Sequence, residues 1–231
     1  MAKIASLLTQ LNITPNNPDW YQQAFIHRSF LNENRRRKLK SNERLEFLGD
    51  AVLELIVSEF LFNHHPDKQE GRLTWLRSKI VQTASLAKIA KQLNFDQYLK
   101  VSKGECQNHG EQNPTILANT FEAFLGALYQ DQGLNACRDF VNQQLINQVD
   151  ELVNSREIID YKSLLQEKAQ AMKKLTPNYQ VLKSWGPDHN RLFEVAVLID
   201  GQAFAQGKGK SKQQAEQQAA QKALEKMKKI F

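Results

Sequence analysis

Residues 42–55, Asn-Glu-Arg-Leu-Glu-Phe-Leu-Gly-Asp-Ala-Val-Leu-Glu-Leu, place four carboxylates inside an otherwise apolar run. At roughly 100° per residue, Glu43, Glu46, Asp50 and Glu54 fall within a wedge of about 80° on one helix face. Leu45, Leu48, Val52 and Leu55 take another face and read as core. A wet helix face normally mixes both signs, because like charges one turn apart repel by roughly 0.2–0.5 kcal/mol. Here the stripe is purely acidic, and Gly49 sits mid-helix at a cost of about 1 kcal/mol relative to Ala. Such a segment folds as a helix with one side in a core and the other reserved for a hard cation or for water. Spacing alone leaves both readings open.

The chain has 231 residues, enough for one large or two modest domains, and its 41% hydrophobic and 24% charged content is that of a globular protein. The apolar run within Met1–Gln10 is too short for a signal peptide. The best membrane candidate, residues 51–57, is broken by Glu54, so no membrane role and a cytoplasmic location are expected. Cys106 and Cys137 form no CxxC and no His clusters near them, which argues against a disulfide scaffold or a zinc site.

Charge divides the chain. Residues 1–159 carry 18 Lys and Arg against 18 Asp and Glu, whereas residues 160–231 carry 13 against 7, the whole of the net +6. The C-terminal third is therefore the part suited to a polyanion. Helical patterning covers about 18–30, 43–63, 70–93, 115–131 and 134–153, with Pro66 closing the second, Thr115 a plausible cap and Gly133 separating the last two. No strand alternation is evident in this half. From Asp160 the pattern becomes helix, three strands, helix. Tyr161–Ala171 is helical, 179–183 and 192–198 alternate, and Asp200-Gly201 turns the chain into 202–206. Ser211 caps a last helix whose Ala215, Ala219, Ala220 and Ala223 form a small-residue face. The expected architecture is an all-α N-terminal domain (1–152), a linker (153–159) and a small α+β domain of α-β-β-β-α order (160–231).

A second acidic element lies at 116–127, Ile-Leu-Ala-Asn-Thr-Phe-Glu-Ala-Phe-Leu-Gly-Ala. Glu122 stands among apolar and small residues, where a carboxylate needs a partner, and Asn119 is one turn earlier on the same face. Taken alone, Glu122 reads as an acid satisfied by a neighbouring Arg. Taken together, residues 42–50 resemble the signature segment of the ribonuclease III family of double-stranded-RNA endonucleases. The Leu-Ala-Asn-Thr-Phe-Glu-Ala run resembles that family's second catalytic segment, and the C-terminal module resembles its double-stranded RNA-binding domain.

The resemblance implies that Glu46, Asp50, Asn119 and Glu122 bind Mg²⁺, or Mn²⁺ in its place, with Asp50 and Glu122 catalytic. It also implies auxiliary acidic roles for Glu43 and Glu70 near the cleavage valley and the dimer interface. A homodimer, two cleavage centres, 5′-phosphate and 3′-hydroxyl products with short 3′ overhangs, and substrates among ribosomal RNA precursors and messenger RNA hairpins are implied likewise. No small-molecule cofactor is expected. Small residues such as Gly49, Ala118, Ala123 and Gly126 would permit close helix packing. The family commonly has Asp where this chain has Asn119, which removes one negative charge from the site.

In the C-terminal module the resemblance gives Gln166 and Gln170 to the RNA minor groove and His189, in Gly186-Pro187-Asp188-His189, to the next one. Lys208, Lys210 and Lys212, at the start of the last helix, are given to phosphates. His27 reads as a hydrogen-bonded structural residue, since no nucleophile partner is evident, while His64, His65 and His109 read as surface. The basic run 35–40 is either a phosphate contact or a solvated loop, and Glu54 has no assigned role. The competing reading is a non-cleaving RNA-binding protein with a degenerate nuclease domain, for which Asn119 is the one sequence feature. A DNA nuclease conflicts with a module suited to A-form duplexes.

Overall fold

The computed structural model describes residues 2–34, 39–146, 161–173, 176–187 and 191–230. Two compact units divide the chain, Met1–Ser155 and Arg156–Phe231. The proposed linker 153–159 and four residues of the basic run, 35–38, lie outside the described residues, whereas Leu39 and Lys40 are exposed.

The first unit is helical: α1 (Ala2–Gln10), α2 (Pro18–Ala24), α3 (Arg28–Glu33), α4 (Glu43–His64), α5 (Glu70–Ile80), α6 (Thr83–Gln92), α7 (Lys103–Gln107) and α8 (Pro114–Gln144). Short 3₁₀ turns occupy Phe95–Gln97 and Gly110–Gln112. Two expected helices are broken. The pattern over 18–30 divides at His27, which is extended (φ −70°, ψ 147°) and caps α3 with its own side chain. The pattern over 70–93 divides at Gln82, also extended, where the Ser85 hydroxyl donates to the Lys79 carbonyl. Gly133 (φ 79°, ψ −173°) bends α8 where the sequence suggested a separation. The N-terminal segment, too short for a signal peptide, is the helix α1, which buries Ile4, Leu7 and Leu8.

Packing centres on α4 and α8. An aromatic cluster stacks along α8, with Phe95 and Phe124 ring centroids 5.1 Å apart and Phe124 and Phe140 5.3 Å apart. Tyr21 and Phe25 complete it from the α2 end. The Asp131 carboxylate accepts from the Asn17 N–H (2.7 Å), the Asn16 N–H (3.0 Å) and the Tyr21 hydroxyl (2.9 Å), tying the chain before α2 to α8. Leu45 and Val52 are buried as expected; Leu55, assigned to the core, is 53% exposed, and Leu53 takes its place inside. The helical phase explains this, since Leu53 and not Leu55 shares the face of Ile56, Val57 and Leu61. One isolated parallel bridge, Ile26 to Lys100, joins the segments before α3 and α7.

The second unit is α9 (Tyr161–Lys173), β1 (Asn178–Trp185), β2 (Leu192–Ile199), β3 (Gln202–Gly209) and α10 (Lys212–Ile230). The sheet is antiparallel in the order β1-β2-β3. Asp200 (φ 55°) and Gly201 (φ 72°) make the left-handed turn between β2 and β3. Ser211 Oγ accepts the Gln214 N–H at 3.1 Å, capping α10 as its sequence suggested. Ala219, Ala220 and Ala223 are fully buried and pack with Val197 and Leu165, and the equally buried Ala215 lies against Gly207 and Gly209 of β3, so the small-residue face does meet the sheet.

Candidate active site

Asn42 fixes where α4 begins. It is 2% exposed, its N–H donates to Ile26 O at 2.9 Å and its side-chain amide donates to Ala24 O at 3.2 Å. The helix then crosses α8 at two glycines. A Cβ at Gly49 would overlap the Glu122 carbonyl oxygen and lie 2.6 Å from its carbon, and a Cβ at Gly126 would overlap the Leu45 carbonyl oxygen. Backbone therefore touches backbone. This accounts for a glycine inside a long helix: its role is the approach of α4 to α8 within one chain.

That crossing brings the two acidic segments together. A cleft of about 600 Å³ is lined by Glu43, Glu46, Asp50, Asn119 and Glu122, with His27, Arg28 and Phe47 on its walls. Burial pushes the Glu122 carboxyl up to about 7, and the nearby Asp50 and Glu46 charges add to the rise. Glu46 is raised in the same way, by burial first and then by Glu43 and Asp50, while a hydrogen bond with Asn119 and the Arg28 charge oppose the shift. The Arg imagined as Glu122's partner is not what surrounds it; other carboxylates are. Glu43 is exposed, accepts from the Ser41 hydroxyl at 2.8 Å and has Arg28 Nη1 at 3.7 Å.

Among the described residues, no three His, Cys, Asp or Glu side chains close into a cage for an ion. The donor set nevertheless fits a hard divalent ion that keeps part of its water shell. Three mutually repelling carboxylates and one amide share a half-buried cleft, and like charges so held call for a cation.

Other sequence candidates lie elsewhere. Glu70 opens α5, accepts from the Thr74 hydroxyl at 2.9 Å and lines a different groove with Leu55, Phe62 and Leu73. Gln166 and Gln170 share one face of α9, one turn apart. Lys210 precedes α10 and Lys212 opens it, both exposed. Lys208 belongs to β3 and not to the helix start. Its Nζ lies 3.4 Å from Glu194 Oε1 and 5.7 Å from the Trp185 ring centre. His189 lies outside the described residues. Arg28, the first residue of α3, also stands on the cleft wall, a place that the helical pattern over 18–30 does not single out.

Residues 17–149 match the family described as ribonuclease-III-like, and residues 161–227 match the double-stranded RNA binding motif. The chain belongs to the ribonuclease III family. It is 45% identical to ribonuclease 3 of Streptococcus pyogenes over 92% of this chain and 93% of that one. Ribonuclease 3 of Streptococcus thermophilus is 46% identical over 90% and 91%. Among solved structures, the nuclease domain of ribonuclease III from Campylobacter jejuni superposes with a TM-score of 0.58 at 35% identity, covering 62% of this chain and 96% of that one. The ribonuclease III match spans both acidic segments, and the RNA-binding match spans the basic module. Among the described residues no helix is long and apolar enough to cross a membrane.

Proposed function

We propose that the chain is a Mg²⁺-dependent endoribonuclease that cuts double-stranded RNA, with Glu46, Asp50, Asn119 and Glu122 as its metal-centred site and Asp50 and Glu122 as the catalytic acids. The observation that carries this reading is the cleft where two distant acidic segments meet at the Gly49–Gly126 crossing. A bound Mg²⁺ would activate water and neutralise charge on the phosphate and the departing 3′-oxygen, leaving 5′-phosphate and 3′-hydroxyl ends. The chain's own residues prepare for it. Burial of Glu46 and Glu122 beside Asp50 concentrates negative charge where a cation and an RNA phosphate can meet. Asn119 steadies Glu46 while adding no charge of its own. Glu43, screened by Arg28 and Ser41, serves as an auxiliary acid at the mouth.

Recognition of the duplex falls to the C-terminal unit. Gln166 and Gln170 would face a minor groove, His189 the next, and Lys210 and Lys212 the phosphates between. Lys208, engaged with Glu194 and Trp185, contributes less than the other two lysines. Pairing of two copies is supported by an apolar stripe on α4, where Phe47 is 81% and Phe62 72% exposed with Leu55 between them. The stripe borders a groove of about 760 Å³ that also holds Glu70. A Campylobacter jejuni relative's structure concerns a region involved in dimer formation of its nuclease domain. Two copies would supply two cleavage centres and short 3′ overhangs, acting in the cytoplasm on ribosomal RNA precursors and messenger RNA hairpins.

Asn119 favours the other reading, a non-cleaving RNA-binding protein, but three carboxylates retained in a half-buried cleft weigh against it. Incubation of the full chain with a perfect RNA duplex, with and without Mg²⁺, tests the proposal. Metal-dependent cutting to 5′-phosphate ends is expected, and an intact duplex in both arms would leave only the binding protein.

A further inference from the structure

One wall of the carboxylate cleft carries a histidine whose geometry is set with more care than a filler side chain needs. The backbone at His27 is pinned on both sides. Its N–H donates to Lys100 O at 3.0 Å, the Lys100 N–H donates to Phe25 O at 2.8 Å, and Phe25 and Ile26 are buried. The side chain caps α3: the Ser29 N–H donates to His27 Nδ1 at 3.3 Å. Ser29 Oγ lies 2.8 Å from the same nitrogen and itself accepts the Ser102 N–H at 3.0 Å. Ser102 in turn caps α7 by accepting the Glu105 N–H at 3.1 Å.

The cap on α3 selects one tautomer. The Ser29 N–H aimed at Nδ1 calls for a lone pair there, while the Ser29 hydroxyl, 2.8 Å from the same nitrogen, suits either tautomer. The ring proton therefore sits on Nε2. Burial, with Arg28 nearby, lowers the ring's proton affinity against the opposing pull of Glu105 and Glu43, which keeps the imidazole neutral. Among the described residues no group hydrogen-bonds Nε2, and His27 is one of the residues lining the cleft that holds Glu46, Asp50 and Glu122.

We propose that His27 is a positioning residue whose Nε2–H donates a hydrogen bond to an acceptor oxygen of the RNA backbone seated in the cleft. A neutral donor suits that place. It can grip a phosphate oxygen or a 2′-hydroxyl oxygen without competing with a cation for the carboxylates. The inference rests on the reading of this cleft as the cleavage site, and the closing experiment separates the two.

Two substitutions divide the ring's two edges. His27→Asn keeps an acceptor for the Ser29 N–H, Asn being among the best helix caps, but removes the donor that reaches the cleft. His27→Gln puts an amide N–H near the place of Nε2 and gives up the cap. Single-turnover cleavage of a perfect duplex by the full chain should fall about tenfold or more in His27→Asn with its Tm unchanged. His27→Gln should recover part of that rate despite a lower Tm. The reverse order, with His27→Asn cutting like wild type and His27→Gln worse, would mean that only the cap matters and would overturn the proposal. A duplex with 2′-deoxy nucleotides flanking the cut identifies the acceptor: loss of the His27→Asn penalty on it means a 2′-hydroxyl, and an unchanged penalty a phosphate oxygen. Histidine ¹⁵N spectra with Ca²⁺ in place of Mg²⁺ need no cleavage. A protonated Nε2 that shifts when the duplex is added supports the contact, whereas a protonated Nδ1 or an unmoved signal contradicts it even if wild type proves inactive.

Discussion

Replacing Gly49 by Ala sets two effects of known size against each other. In a helix interior Ala is favoured over Gly by about 1 kcal/mol, so propensity alone predicts a more stable protein. Packing predicts the opposite. The new methyl would overlap the Glu122 carbonyl oxygen and lie 2.6 Å from its carbon and 2.8 Å from Gly126 N. Ordinary carbon contacts sit at about 3.5–4.0 Å, so α4 and α8 must part by at least about 1 Å. Backbone cannot swing aside as a side chain can, and overpacking of this kind costs about 1–3 kcal/mol. An overlap this deep puts the cost at the upper end of that range, so the net expectation is a loss of about 1–2 kcal/mol, or a fall in Tm of about 2–8 °C for a chain of this size. The effect on chemistry should be larger, because the same separation moves Glu46 and Asp50 away from Asn119 and Glu122, and misplacement by 1 Å can cost about a hundredfold in rate. Calorimetry and single-turnover cleavage at saturating Mg²⁺ measure both. Gly71→Ala is the control, since nothing lies within 4 Å of its added Cβ. A Gly49→Ala protein with raised Tm and wild-type cleavage would refute the close crossing.

Further outcomes follow from the same geometry. Asn119→Asp adds a carboxylate beside Glu46, so half-maximal cleavage should need less Mg²⁺; a requirement for more would contradict a metal role for this position. Burial raises Asp131, but hydrogen bonds from Asn17, Asn16 and Tyr21 outweigh it and hold the acid below its usual range. A depressed acid stabilises above its unfolded value of about 4 and loses that contribution as pH falls through the folded value. Asp131→Asn should therefore lower Tm at pH 7, with the gap closing only as pH falls from about 4 through the lower folded value, and an equal deficit at both ends would rule out the ionised knot. Deleting residues 156–231 should weaken duplex binding and flatten its salt dependence while cleavage persists at low salt; complete loss of cleavage there would mean that the helical unit does not act alone.

Much of this was legible because it rests on local chemistry. The acidic stripe, the Asp200-Gly201 turn, the Ser211 cap and the alanine face of α10 each announce themselves within a few residues, and each lies where the sequence suggested. What escaped is non-local. The exposure of Leu55 reflects a half-turn of helical phase set by packing on α8, and the division at His27 goes with a tertiary hydrogen bond to Lys100 that periodicity does not carry, whereas the one at Gln82 is bridged locally by the Ser85 hydroxyl on Lys79 O. The partner of Glu122 was sought among arginines, as for any semi-buried acid, and turned out to be more acid. Only the juxtaposition of two segments about seventy residues apart in sequence, made possible by Gly49 and Gly126, turns a charge pattern into a cleft. Lys208 illustrates the same limit: its spacing from Lys210 suggested one basic edge, but strand β3 ends between them.

The central claim is that the cleft at the α4–α8 crossing is where the duplex is cut with the help of a metal ion, and Glu122→Gln tests it most directly. The substitution keeps size and removes the charge that burial and its acidic neighbours hold at a pKa of about 7. Cleavage of a perfect RNA duplex in Mg²⁺ should fall by several orders of magnitude while the duplex is bound as tightly as by wild type. Cleavage within a few-fold of wild type by the Gln variant would contradict the account.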